Sequence, residues 1–215
     1  MDNVRQAIYV SIGMKSTSAP VRPGRPRAFD ADAALERAMQ VFWKNGYEGA
    51  SLSDLTEAMG INRPSLYAAF GNKESLFRKV MDRYGKGPAS HVCAALAEPT
   101  AHAVVEKLLR GAVEMFTNPR NPGGCLAIHG ALACGDEADS VRQEMTARRA
   151  AAMDALRKRF VRAKKEGDLP ADSDPAALAL YISAVSQGMS VQSTSGATRK
   201  DLLRIVETTM RAWPS

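Results

Sequence analysis

The chain has 215 residues, 45% hydrophobic and 24% charged, the composition of an ordinary globular fold. Its longest apolar stretch falls far short of the roughly 20 residues that cross a bilayer, and no leading segment has the charged start, apolar middle and small-residue cleavage site of a secretory signal. A formal charge of +6 favours an anionic partner, and three cysteines (Cys93, Cys125, Cys134) without a Cys-x-x-Cys pair fit reduced thiols in the cytoplasm.

In chain order, residues 1–28 read as a disordered arm. With Asp2 the only acid before Phe29, Arg5, Lys15, Arg22, Arg25 and Arg27 put much of the positive excess here. Met14 is a second candidate start codon. From Phe29 onward the pattern is helical. Asp30 is placed to cap a first helix, with Leu35, Ala38 or Met39, and Phe42 at helical spacing and Asn45-Gly46 as its stop. A second helix begins at Ser51, with Asp54 three residues on as in a capping box, and stops at Gly60. Asn62 caps a third, short helix at about 63–70, whose first turn tolerates Pro64. A fourth runs from about 72–74 to Tyr84. Turn signals then separate expected helices at 89–97, 101–117, 125–134, 137–166, 175–193 and 199–212. No alternating β-branched run and no repeat occurs, so the fold class is all-α.

The second and third helices form a helix-turn-helix around Gly60, with Leu55, Ala58, Ile61, Leu66 and Phe70 closing its core. The polar residues Asn62, Arg63 and Ser65 crowd the N-terminal end of the third helix, the end that a major-groove helix aims at base edges. Its free N–H groups and positive dipole end also suit phosphate. A glycine-turned helical hairpin alone is a weak signal. Further residues sharpen it: Ala38 to Phe42, Gly46-Tyr47, Ser51, Leu55, Ala58, Gly60-Ile61, Ser65-Leu66-Tyr67, Phe70, Asn72-Lys73-Glu74 and Leu76-Phe77. On these the stretch from Phe29 to Tyr84 resembles the DNA-binding domain of the TetR family of bacterial repressors.

The resemblance implies an N-terminal three-helix DNA-binding domain (29–84) and a larger helical domain (85–215) for ligand binding and dimerisation. It assigns Ser53, Arg63, Pro64 and Ser65 to base edges and Ser51, Tyr67 and Lys73 to phosphates of a double-stranded DNA operator. Ala69 also falls at a phosphate position but departs from the polar or aromatic residue common there, and Ala68 lacks the side chain that some members use for base contact. Arg63 is thus the foremost reader, suited to guanine O6 and N7. Gly24-Arg25-Pro26-Arg27 resembles a minor-groove hook, with loose phosphate attraction as the alternative for Arg25 and Arg27.

In the second half, apolar stripes at Leu178, Ile182, Val185 and Met189, with Ala184 and Gly188 beside them, and at Leu202, Ile205 or Val206, Thr209 and Trp213, are expected dimer faces or, equally, core faces of one protomer. Met81, Leu108, Met115, Phe116, Cys125, Leu126, His129 and Tyr181 are candidate pocket residues, each also readable as plain core. Cys125, near a helix start, is a candidate redox or electrophile sensor with a lowered thiol pKa. Cys125 and His129 share a face at i, i+4, but no third metal ligand follows by spacing, and no cofactor is expected. His91, His102 and His129 lack a nucleophile partner and no phosphate-binding glycine loop occurs, so an enzyme is not expected. The leading expectation is a ligand-responsive repressor that binds a palindromic operator as a homodimer and is released by a largely hydrophobic inducer. An activator, or a helical small-molecule-binding protein without a specific operator, are the alternatives.

Overall fold

The computed structural model describes residues 29–130, 135 and 138–214. The expected arm at 1–28 with Arg25 and Arg27, the last part of the expected 125–134 helix, and Cys134 lie outside the described residues. Among those described there are ten helices and no strand. They are α1 (Ala31–Gly49), α2 (Leu52–Met59), α3 (Arg63–Phe70), α4 (Lys73–Lys86) and α5 (His91–Leu96), then α6 (Ala101–Thr117), α7 (Leu126–His129), α8 (Asp139–Lys165), α9 (Pro175–Thr194) and α10 (Arg199–Arg211).

The helices begin where short polar side chains satisfy their first free N–H groups. Asp30, Asn62, Asn72, Thr100 and Asp174 each accept from backbone N–H groups one turn in. Ser51 with Asp54, and Thr198 with Asp201, form reciprocal capping boxes. The helical hydrogen bonding of α1 is interrupted at Gly46, whose φ of 71° and ψ of 178° no helix contains, so the Asn45-Gly46 stop falls inside the element. Gly60, at φ 67°, ends α2 in the left-handed conformation, its N–H directed to Glu57 and Thr56 carbonyls.

The head, α1 to α4, is closed by Phe42, Leu55, Met59, Leu66, Leu76 and Phe77, all buried. Met59 takes the inward place expected of Ala58, which stays half-exposed. In the body α6 is the central helix, with α5, α9 and α10 packed on it and α8 laid along α9. The buried cluster is continuous from Ala34 in α1 to Trp213 beyond α10, so head and body share apolar contacts.

Of the two readings of the α9 stripe, the core face holds. Ile182 and Met189 are fully buried, and Leu178 and Val185 pack on the same core, so this stripe belongs to the protomer's interior. The same holds for Leu202, Val206, Thr209 and Trp213 around α10. The opposite face of α9 carries Ala177, Leu180, Tyr181, Ala184, Gly188 and Val191 toward solvent. Leu180 is 61%, Tyr181 46% and Val191 47% exposed. No charged residue occurs between Asp174 and Arg199, so α9 is uncharged all round.

Candidate nucleic-acid interface and the junction behind it

The exposed face of the head is built by α3 and the start of α2. Leu66 and Phe70 turn inward and anchor α3, which leaves Arg63, Pro64, Tyr67 and Ala68 exposed on its other side. Pro64 costs no helical hydrogen bond in the first turn. Tyr67 is 49% exposed, large for an aromatic ring that the core has no need to leave out. The Arg63 guanidinium donates to Ser53 Oγ at 3.0 Å, which joins two of the expected base-edge residues across the α2–α3 turn. Ser65 is half-exposed, and its N–H is taken by the Asn62 cap at 2.9 Å.

Ser51 is committed locally. Its hydroxyl donates to Asp54 at 2.7 Å and accepts the Asp54 N–H at 3.0 Å. The hydroxyl bond, with the Ser51 backbone N–H that donates to the same carboxylate at 3.0 Å, holds the Asp54 carboxyl below the usual carboxylate range. At the start of α4, Lys73 Nζ lies 4.6 Å above the centre of the Tyr47 ring and 3.5 Å from the Glu48 carbonyl. Ser51, Ser53, Arg63, Pro64, Ser65, Tyr67 and Lys73 thus all come from the α2–α3 unit and the adjoining start of α4.

Behind this face, head and body are joined through side chains that sequence reasoning did not single out. Trp43 in α1 stacks edge-on against Tyr84 at 4.9 Å and donates its indole N–H to the Gly123 carbonyl at 3.0 Å. The Tyr47 N–H bonds the Gly130 carbonyl at 2.8 Å, and the Gly135 N–H bonds Glu48 Oε1 at 2.6 Å. Arg78 pairs with Glu144 at 2.5 Å and Arg148 with Asp82 at 2.9 Å. The signal for Trp43 was its place four residues after Met39, which puts it on the same inward face.

Of the expected pocket residues, Met81 of the head and Leu108, Met115, Phe116 and Leu126 of the body are buried in the core the two share. Cys125 and His129 border it. The buried Tyr84 hydroxyl lies 3.2 Å from both Met115 Sδ and Cys125 Sγ. His129 Nε2 is 3.0 Å from the Ser190 hydroxyl on α9. Tyr181 stands apart from these, on the outward face of α9.

The thiol corrects an expectation. Burial pushes Cys125 up, opposed by its hydrogen bond with Tyr84 and by nearby N–H groups. The α7 helix that follows has four residues, too short to supply a dipole that would reverse this. Burial likewise holds the Tyr84 phenol well above its ordinary value. Cys125 and His129 engage different partners, and among the described residues no group of three His, Cys, Asp or Glu could hold a metal. No described helix is long and apolar enough to cross a membrane.

Residues 34–80 match the model of bacterial regulatory proteins of the tetR family, and residues 101–209 match the tetracyclin repressor-like C-terminal domain. The chain is 35% identical to the HTH-type transcriptional repressor ComR of Escherichia coli (strain K12), over 89% of this chain and 92% of that protein. It is 31% identical to the HTH-type transcriptional regulator YezE of Bacillus subtilis (strain 168), covering 74% and 83% respectively. Among solved structures it resembles a cysteine mutant of the regulator CifR complexed with 26-bp double-strand operator DNA. That likeness has 46% identity, a TM-score of 0.84, and covers 88% of this chain and all of that one. A transcriptional regulator from Rhodococcus sp. RHA1 is 42% identical with a TM-score of 0.59, covering 86% and 100%.

Proposed function

The chain belongs to the TetR family of bacterial regulatory proteins, and from that premise we propose that it is a ligand-responsive repressor that binds a palindromic operator as a homodimer and carries no catalytic activity. The observation that carries this reading is the exposed side of α3, where Arg63, Pro64 and Tyr67 are presented by a helix whose other side is sealed into the head. Arg63, held by Ser53, reads a base edge in the major groove; Lys73 and Tyr67 hold phosphates. Residues 29–84 act as the DNA head and residues 85–215 as the effector and dimerisation unit. Two copies meet through the uncharged outward face of α9, where Leu180, Tyr181 and Val191 are exposed large apolar side chains whose covering stabilises an assembly. The two recognition helices then address half-sites about one helical turn apart, roughly 34–36 Å.

The junction at Trp43, Tyr84, Met115 and Cys125 supports release by a largely apolar small molecule. A ligand that inserts among these side chains separates α4 and α6, and with them the two heads. DNA and ligand affinities then oppose each other reciprocally. As a regulator of operator DNA, the protein works in the cytoplasm.

Selection from a random double-stranded DNA pool tests the reading. The expected outcome is an enriched inverted repeat, protected as one short symmetric footprint. Binding without enrichment at physiological salt would overturn it in favour of a non-specific binder. Repression of a reporter placed behind the selected site separates a repressor from an activator.

A further inference from the structure

The end of α1 beyond its break at Gly46 was not expected to take part in binding, yet it supports the side chain read as a phosphate contact. Gly46 breaks the helix, and the chain swings so that the Tyr47 ring faces α4. The ring is held on two sides, by Phe42 at 6.2 Å in a stacked arrangement and by Phe77 at 5.2 Å edge-on. Its backbone is held from the body by the bond to Gly130, and the next residue by the bond from Gly135 to the Glu48 carboxylate. Over this fixed ring lies the Lys73 ammonium, which the Glu48 carbonyl also accepts.

We propose that Tyr47 is a positioning residue for DNA binding, its ring face holding the Lys73 ammonium where the phosphate contact is made. The proposal rests on the reading of Lys73 as a phosphate contact. A lysine carries its charge on a flexible four-carbon stem and loses much rotamer freedom when it docks. An aromatic face attracts the cation without cancelling its charge, and a carbonyl does the same. The ammonium is therefore gathered before DNA arrives and still has its full charge to offer. Because the platform is bonded to the body at Gly130 and Gly135, the position of Lys73 depends on the body as well as on the head.

The test is the salt dependence of operator binding between about 50 and 200 mM salt, which counts phosphate contacts. Lys73→Ala is expected to flatten the slope of log K against log salt by about 0.9 per lost contact, about 1.8 for the two protomers. Tyr47→Leu is expected to flatten it as far, the double variant no further, and Tyr47→Phe, which keeps the ring, to leave it unchanged. Where Leu costs the fold, Tyr47→Met fills the same space without a ring face and serves instead. A ringless variant that lowers affinity or melting temperature while keeping the wild-type slope overturns the proposal and assigns Tyr47 to packing alone. An unchanged slope in Lys73→Ala overturns the phosphate contact itself, a separate failure.

Discussion

Leu180 lies in the N-terminal half of the uncharged outward face of α9 and is 61% exposed in the protomer. Fully burying a leucine is worth about 1.5–3 kcal/mol, so covering the exposed part contributes about 1–2 kcal/mol per protomer. A two-fold interface counts each residue twice. Leu180→Ala is therefore expected to weaken dimerisation by about 2–4 kcal/mol, roughly 30- to 900-fold in the dissociation constant. Sedimentation equilibrium over a range of protein concentrations measures this directly. Leu180→Glu, which buries two unpaired charges, should leave monomers only. Ile182, fully buried on the opposite side of the helix, provides the contrast. Ile182→Ala should lower the melting temperature of the protomer, by a loss of about 2–5 kcal/mol, without a specific effect on association. Wild-type self-association in both Leu180 variants would refute the assignment of this face.

Arg63→Ala is expected to lose about 1–3 kcal/mol of discrimination at one base pair per half-site, and Arg63→Lys most of it, since an ammonium lacks the two-pronged fork; titration of operator variants checks this, and unchanged base preference would remove Arg63 as the reader. Gly111→Ala should destabilise although alanine ordinarily favours a helix interior by about 0.5–1 kcal/mol. Its Cβ would meet the Cδ2, Cγ and Cβ atoms of His91 at 2.6–2.7 Å, an overpacking that costs about 1–3 kcal/mol, and a His91→Ala partner substitution should recover part of the loss in thermal melts. Burial lowers the His91 pKa from 6.5, so the neutral ring's contribution is present above that value and is lost as pH falls below it. His91→Gln should remove this acid-side decline in melting temperature. Burial raises the Cys125 thiol, so iodoacetamide should modify it slowly at neutral pH until the chain is unfolded. Fast modification of the folded protein would restore its candidacy as a sensor.

Much of the head was legible in the sequence because its information is local. A cap, a helical period and a glycine stop act within a few residues, so the caps Asp30, Ser51 and Asn62 and the stop at Gly60 are legible without any tertiary contact. The exposed side of α3 followed too, since Leu66 and Phe70 sit on one face of a two-turn helix and Arg63 and Tyr67 on the other. Tertiary structure decided what two-sided or long-range patterns left open. On α9 every residue from Pro175 to Thr194 is uncharged, so periodicity could not say which apolar stripe faces α6 and α8 and which faces outward. Packing put Ile182 and Met189 in and Leu180 and Tyr181 out. The environment of Cys125 was equally unreadable, because a thiol's pKa depends on burial beside Tyr84, 41 residues away in sequence, rather than on its neighbours along the chain. The seating of Lys73 over Tyr47 likewise needs α1 and α4 brought together, and no spacing rule within either helix reports that juxtaposition.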